Sequence, residues 1–281
     1  NPGNDFVHGW AFAASSLADP QIETRRSAVF GEARDIAAPQ LLLQGAADTT
    51  RADDGWRCAS FCAEFSLEPG QVHESFSVLG QTPTREAAIE LASRLREPAA
   101  VQRARRRVDL FWEEKLGVLR VHTDSVDFDR LVNDWLPYQV YVSRLWGRTG
   151  PAQRSGAFGF RDQLQGVLPL LWLDAPAARA QILLHAAQQF REGDVLKWWH
   201  PSWEGRTGLG VRTRASDPHL WLPYVVLRYL AATGDAGILD ERLPFLEGQA
   251  VPAGAEGYAL APRRARDTAS LYEHCRRAVE R

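Results

Sequence analysis

The chain has 281 residues, is 45% hydrophobic and 24% charged, and carries a formal net charge of −2. That is an ordinary composition for a folded protein of one large or two ordinary domains. It offers no basic field for nucleic acid and no long unbroken apolar run for a membrane span. Methionine is absent and the first residue is Asn1, which reads as an internal fragment or a processed form; nothing there resembles a signal peptide. Three cysteines, at 58, 62 and 275, do not make a disulfide framework. Cys58 and Cys62 could share one helical turn and hold a metal, but no other His or Cys completes such a site, so buried thiols are the better expectation.

Residues 1–83 read as the closing strands of a β-sandwich. Apolar and polar residues alternate from Ala59 to Leu67 and again from Val72 to Gly80, on either side of Glu68-Pro69-Gly70-Gln71. Two alternating runs about a Pro-Gly turn predict a β-hairpin. Residues 84–126 read as linker helices. Thr84 is placed to cap the first, with Glu86 in its first turn; this helix breaks at Pro98, and a second runs from about Ala99 to Lys115. The arginines from 103 to 107 suit a solvated face better than a binding patch.

From Asp127 onward the pattern predicts helices almost throughout. Phe128, Leu131, Val132, Trp135, Leu136, Gln139, Val142 and Leu145 keep helical spacing. Further helices are predicted over 162–172, 177–190, 218–232 and 265–280. Such a succession, with long and short connections alternating, suggests part of an α/α toroid. The fold class expected is therefore mainly α: a partial (α/α)6 toroid over 127–281, preceded by the end of a β-sandwich domain and linker helices.

Two long loops, 148–161 and 192–217, hold the unusual chemistry, and loops carried on a rigid scaffold are where function concentrates. The first ends in Ser155-Gly156-Ala157-Phe158-Gly159-Phe160-Arg161-Asp162. Its glycines suit a tight turn that delivers Arg161 and Asp162 to a helix start, where the dipole favours a carboxylate. Asp162 could accept two sugar hydroxyls at once, or simply cap the helix. The second loop carries Trp198-Trp199-His200. These rings could form a sugar platform with His200 beside it, or fold inward and fill the core. It then carries Arg212, Arg214 and Asp217. The planar guanidiniums suit phosphate or a carboxylate, or they could neutralise Asp217 and Asp194.

Taken together, these stretches resemble glycoside hydrolase family 94, the cellobiose-phosphorylase-like enzymes. The resemblance rests on Trp135-Leu136-Pro137-Tyr138-Gln139, the run Ser155–Gln165, Gln188–Asp194, Trp198-Trp199-His200-Pro201, Gly210–Arg214, Leu220–Tyr224, Thr233-Gly234-Asp235 and Leu243–Gly248. It is nearest the β-1,2-glucan branch, the phosphorylase-like domain of cyclic β-1,2-glucan synthases and the 1,2-β-oligoglucan phosphorylases. Gly156 supports that branch, since the disaccharide phosphorylases carry a sugar-binding arginine there.

The resemblance implies a β-sandwich, linker helices and an (α/α)6 barrel that catalyses inverting phosphorolysis. It implies donor-sugar binding by Asp162 with Arg161 beside it; Trp198, Trp199, His200, Arg212, Arg214 and Asp217 stand with them as candidate substrate-binding residues. Pro218 and His219 depart from the family's second aspartate after Asp217. No cofactor or metal is expected; inorganic phosphate is a co-substrate, and the partner is a β-glucan or gluco-oligosaccharide, with no nucleic acid or membrane contact. The expected location is the cytoplasm, or the cytoplasmic face of the inner membrane. The family's general acid belongs to a Trp-Asn-Asp motif that this sequence lacks; it is expected beyond Arg281, which would leave residues 1–281 inactive alone. A noncatalytic carbohydrate-binding or scaffold piece, or an inverting hydrolase with two carboxylates about a water, stand as alternatives.

Overall fold

A computed structural model describes residues 9–31, 36–44, 57–147, 156–200 and 208–281. Among the described residues the chain divides into two compact units, one over residues 9–108 and one over residues 109–281.

In the first unit, β1 (Trp10–Ser15) pairs antiparallel with β4 (Ser77–Thr82), from Trp10↔Thr82 to Ser15↔Ser77. β2 (Gln21–Arg25) pairs antiparallel with β3 (Arg57–Cys62). The short helices α1 (Arg26–Phe30) and α2 (Gln40–Gln44) lie between them in sequence. The hairpin expected from residues 59–80 does not form. Its turn exists, with Gln71 N–H donating to Glu68 O at 2.9 Å and Gly70 at φ +83°. Yet β3 and β4 each pair with an earlier strand. Alternation specifies a buried face, not a partner.

Helix α3 (Arg85–Leu95) is capped as its sequence predicts: Thr84 Oγ1 accepts from Ala87 N–H at 3.2 Å, and Glu86 lies in the first turn. It packs on β1 and β4. The break expected at Pro98 lies between α3 and α4 (Pro98–Leu116), and Pro98 is the first residue of α4. Proline suits a first helical turn because the missing N–H would have no partner there.

After the end of α4, the second unit continues with a continuous helical segment: α5 (Val126–Arg130), a π-helical turn Leu131–Trp135, α6 (Leu136–Gln139) and a π-helical stretch Val140–Trp146. Pro137 lies inside it. Proline cannot donate to the ladder, and widened turns are one way a helix accommodates that. β5 (Phe158–Gly159) leads into α7 (Phe160–Leu173), followed by α8 (Ala175–Ala186). Asp174 joins three elements: it caps α8 at Ala177 N–H (3.1 Å), pairs with Lys115 Nζ (2.6 Å) and accepts from Tyr141 OH (3.3 Å). The core lies where α7 meets α8 and α9 (Trp221–Thr233), around Phe160, Leu164, Val167, Ile182, Leu222 and Val226.

Three predicted helices need correction. The helix predicted to reach Phe190 stops at Ala186, because Gln189 and Phe190 enter β-bridges with Val195 and Leu246. That predicted from Ala265 is α10 (Leu271–Glu280), because Arg263–Ser270 form β10, paired with β8 (Arg242–Glu247). And α7 opens two residues before Asp162. The second unit also contains an antiparallel sheet in the order β5, β6 (Leu196–Trp199), β7 (Gly210–Thr213) and β9 (Gly257–Leu260). The helical reading of 127–281 did not include it.

Candidate functional site

The sheet brings the two loops together. Phe158 pairs with Trp199 and Gly159 with Trp198 across β5 and β6. Gly156 adopts φ +73°, a left-handed conformation open to glycine. Residues 148–155 and 201–207, with Arg154, Ser155, Glu204 and Arg206, lie outside the described residues. Gly159 is the N-cap of α7, so Arg161 and the half-buried Asp162 occupy the first turn and Asp162 is not the cap. The site for a charge-stabilised carboxylate remains: a 14-residue helix begins directly beneath it.

Arg161 Nη1 reaches Asp217 Oδ2 at 2.7 Å. Asp217 precedes the 3-10 turn Pro218–Leu220 that leads into α9. Arg161 holds the Asp217 carboxyl below its ordinary range by hydrogen bond and charge. Both side chains are about half exposed, at 50% and 48%, so solvent screens most of that attraction.

The tryptophans divide. The register of β6 against β7 slips between Leu196 and Trp198, and a bulge resets which side chains share a face. Leu196 and Trp199 are therefore both buried while Trp198 is half-buried. Trp199, 4% exposed, stacks on Phe158 with centroids 5.3 Å apart and planes at 9°, and meets His185 edge-on at 5.2 Å. Buried and stacked on Phe158, it does not present a face for a sugar, which corrects its expected place in a platform. Trp198 lies edge-on to His200 at 5.7 Å. The His200 backbone N–H donates to Leu209 O at 2.9 Å, and its buried Nδ1 has no partner among the described residues.

The arginines divide too. Arg212 is 1% exposed. Its Nε and Nη2 take Asp194 bidentately at 2.6 and 2.7 Å, Nη2 also takes Glu192 at 2.9 Å, and Nη1 donates to Gly248 O and Gln249 O. The guanidinium lies 3.9 Å over the Phe190 ring. Burial opposes its charge, and the bonds and charges of Asp194 and Glu192 together outweigh burial and raise its pKa. Arg212 is an internal brace, a correction to its expected contact with substrate. Arg214 is exposed and donates to Val251 O at 2.6 Å. It does not share a pair with Asp217, which Arg161 holds. A cavity of about 390 Å³ opens between Asp194, Thr213, Arg214, Ser216 and His219, among others. Burial lowers the His219 pKa, as does Arg281.

The exposed polar groups that meet are thus Arg161 and Asp217, with Asp162 in the next position and Trp198 on the adjoining strand. Sequence reasoning passed over the buried Gln163, which follows Asp162, and the buried His185, which meets Phe160 and Trp199 edge-on; their only mark in the sequence was polarity within an apolar helix face. Among the described residues, no cluster of three or more His, Cys, Asp or Glu could hold a metal ion. Cys58, Cys62 and Cys275 form no disulfide among the described residues, and all three are partly buried rather than buried as expected.

A family profile for the catalytic domain of the glycosyl hydrolase 94 superfamily matches residues 111–281, and one for the glycosyl hydrolase 94 supersandwich domain matches residues 1–98. The chain belongs to glycosyl hydrolase family 94. Among its relatives in that family is the cyclic beta-(1,2)-glucan synthase NdvB of Rhizobium meliloti (strain 1021), 38% identical over 280 residues, which cover 98% of this chain and 10% of the relative. N,N'-diacetylchitobiose phosphorylase of Vibrio proteolyticus is 22% identical over 98% of this chain and 35% of its own length. Solabiose phosphorylase of Paenibacillus borealis is 25% identical over 88% and 31%. The chain therefore spans between a tenth and about a third of these relatives. No helix among the described residues is long and apolar enough to cross a membrane.

Proposed function

We propose that this chain belongs to an inverting glycoside phosphorylase that cleaves β-glucosidic bonds, with a β-1,2-glucan as its substrate class. Inorganic phosphate attacks the anomeric carbon, the glycosidic C–O bond breaks, and the leaving oxygen takes a proton from a general acid. The products are a sugar 1-phosphate and a shortened glucan; no cofactor takes part. The observation that carries the reading is the Arg161–Asp217 pair with Asp162 beside it, in a family 94 chain whose relatives include phosphorylases and a cyclic β-1,2-glucan synthase. In it, Asp162 accepts donor-sugar hydroxyls and Trp198 supplies an apolar edge. Arg161, Arg214 and His200 offer donors toward sugar or phosphate. Helices α7, α8 and α9 are then part of an (α/α)6 toroid.

The location that fits is the cytoplasm, or the cytoplasmic face of a membrane if the chain is a domain of a glucan synthase. The test is to incubate the complete gene product with β-1,2-gluco-oligosaccharides, with and without phosphate. Phosphate-dependent release of a sugar 1-phosphate is expected. Release of free sugar independent of phosphate would mean hydrolysis, and binding without turnover would mean a carbohydrate-binding role; either result overturns the proposal.

A further inference from the structure

We infer that Gln163 is a positioning residue, which holds the turn bearing Arg161 and Asp162 in register; the consequence for catalysis rests on the donor-site reading above. Gln163 is 1% exposed, one turn into α7. Its Oε1 accepts the backbone N–H of Gly159, and its Nε2 donates to Arg144 O at 3.4 Å. Gly159 is the N-cap of α7 and has no side chain with which to cap. The Gln163 amide thus closes a ring from the helix into the residue before it. Phe160, Arg161 and Asp162 lie inside that ring.

A second observation fixes the far side of the clamp. One turn further along α7, a Cβ on Gly166 would lie 3.0 Å from Arg144 Cβ. Gln163 and Gly166 thus meet the same residue of the Val140–Trp146 stretch, one through a hydrogen bond and the other through close approach. Beside the ring, Phe160 is fully buried and meets the fully buried His185 edge-on at 5.7 Å. Arg161 and Asp162 therefore project from a turn held at both ends by buried groups. A misplacement of about 1 Å in a binding group can cost on the order of 10²-fold in rate. A side-chain amide accepts at one end and donates at the other with fixed geometry.

The experiment uses the complete gene product. Gln163→Met keeps the volume and removes both bonds. Expected are amide exchange over residues 157–163 at least about tenfold faster than in the parent, and a kcat/KM for phosphorolysis about 10–100-fold lower, carried by kcat, with KM little changed. Gln163→Glu separates positioning from bulk packing. A protonated carboxyl reproduces both bonds, its carbonyl accepting from Gly159 N–H and its O–H donating to Arg144 O. Ionised, it loses the donor and faces a carbonyl. Burial raises a carboxyl pKa, so this variant should approach parent activity near about pH 5 and lose it toward about pH 8, while circular dichroism shows it folded at both. Unchanged exchange in Gln163→Met overturns the clamp. Faster exchange with parent kcat/KM, or a Glu variant with the parent's pH profile, overturns its part in catalysis. If the parent shows no phosphate-dependent cleavage, the reading of the previous section fails, and the exchange rates still decide whether Gln163 holds the turn.

Discussion

Arg161 and Asp217, 56 positions apart in sequence, meet through a 2.7 Å ion pair that joins the first turn of α7 to the lead-in of α9. Because both partners are half exposed, the pair contributes little to stability and its value lies in orienting the guanidinium. Asp217→Asn should cost no more than about 1 kcal/mol in unfolding free energy. It should nonetheless lower kcat/KM about tenfold or more, since Arg161 is released to other rotamers. Parallel urea titrations and kinetics decide it; unchanged kinetics would make the pair a surface contact only.

Asp162→Asn removes the charge while keeping the shape and the helix. Loss of a charge-assisted hydrogen bond to sugar is worth about 1.5–3 kcal/mol, so kcat/KM should fall at least about tenfold with the fold intact. Parent kinetics in this variant would remove Asp162 from the site.

Trp198 and Trp199 should behave oppositely. Trp199→Ala empties a core position stacked on Phe158 and should cost about 3–5 kcal/mol. Trp198→Ala should cost much less and weaken gluco-oligosaccharide binding, as read by calorimetry. Equal stability losses would refute the division made by the β6 bulge.

Arg212→Met should destabilise by about 3–5 kcal/mol, because it strands Asp194, 4% exposed, without its bidentate partner. Adding Asp194→Leu to that variant should recover part of the loss. A double variant as unstable as the sum of the two single ones would show that the two side chains do not act as a pair.

Acid should weaken the fold through its buried histidines. Burial holds His185 and His274 at about 4, against an ordinary value near 6.5. The unfolded chain takes up protons that the native chain refuses between those values. The stability they contribute is therefore complete above about pH 6.5 and declines as pH falls toward 4, by at most on the order of 3 kcal/mol each. His185→Phe should flatten the decline between pH 6.5 and 4 in denaturant midpoints; an unaltered slope would show that His185 does not contribute to it.

Family 94 membership was legible in the sequence because its blocks lie in order along the chain. So were local events such as the Thr84 cap, the course of α4 and the periodic helices after Asp127, since each depends on neighbours a few residues apart. Pairing was not legible. β3 and β4 carry alternation that fits many partners, and only the folded sheet assigns them to β2 and β1. Nor could adjacent tryptophans or nearby arginines reveal which of them turns inward. One bulged residue in β6 sends Trp199 into the core and leaves Trp198 at its edge. Asp194, 18 positions away from Arg212, draws it into the interior, while Arg214 stays outside. Residue type determined what chemistry was available along this chain; long-range register and burial decided which of those side chains were left free to use it.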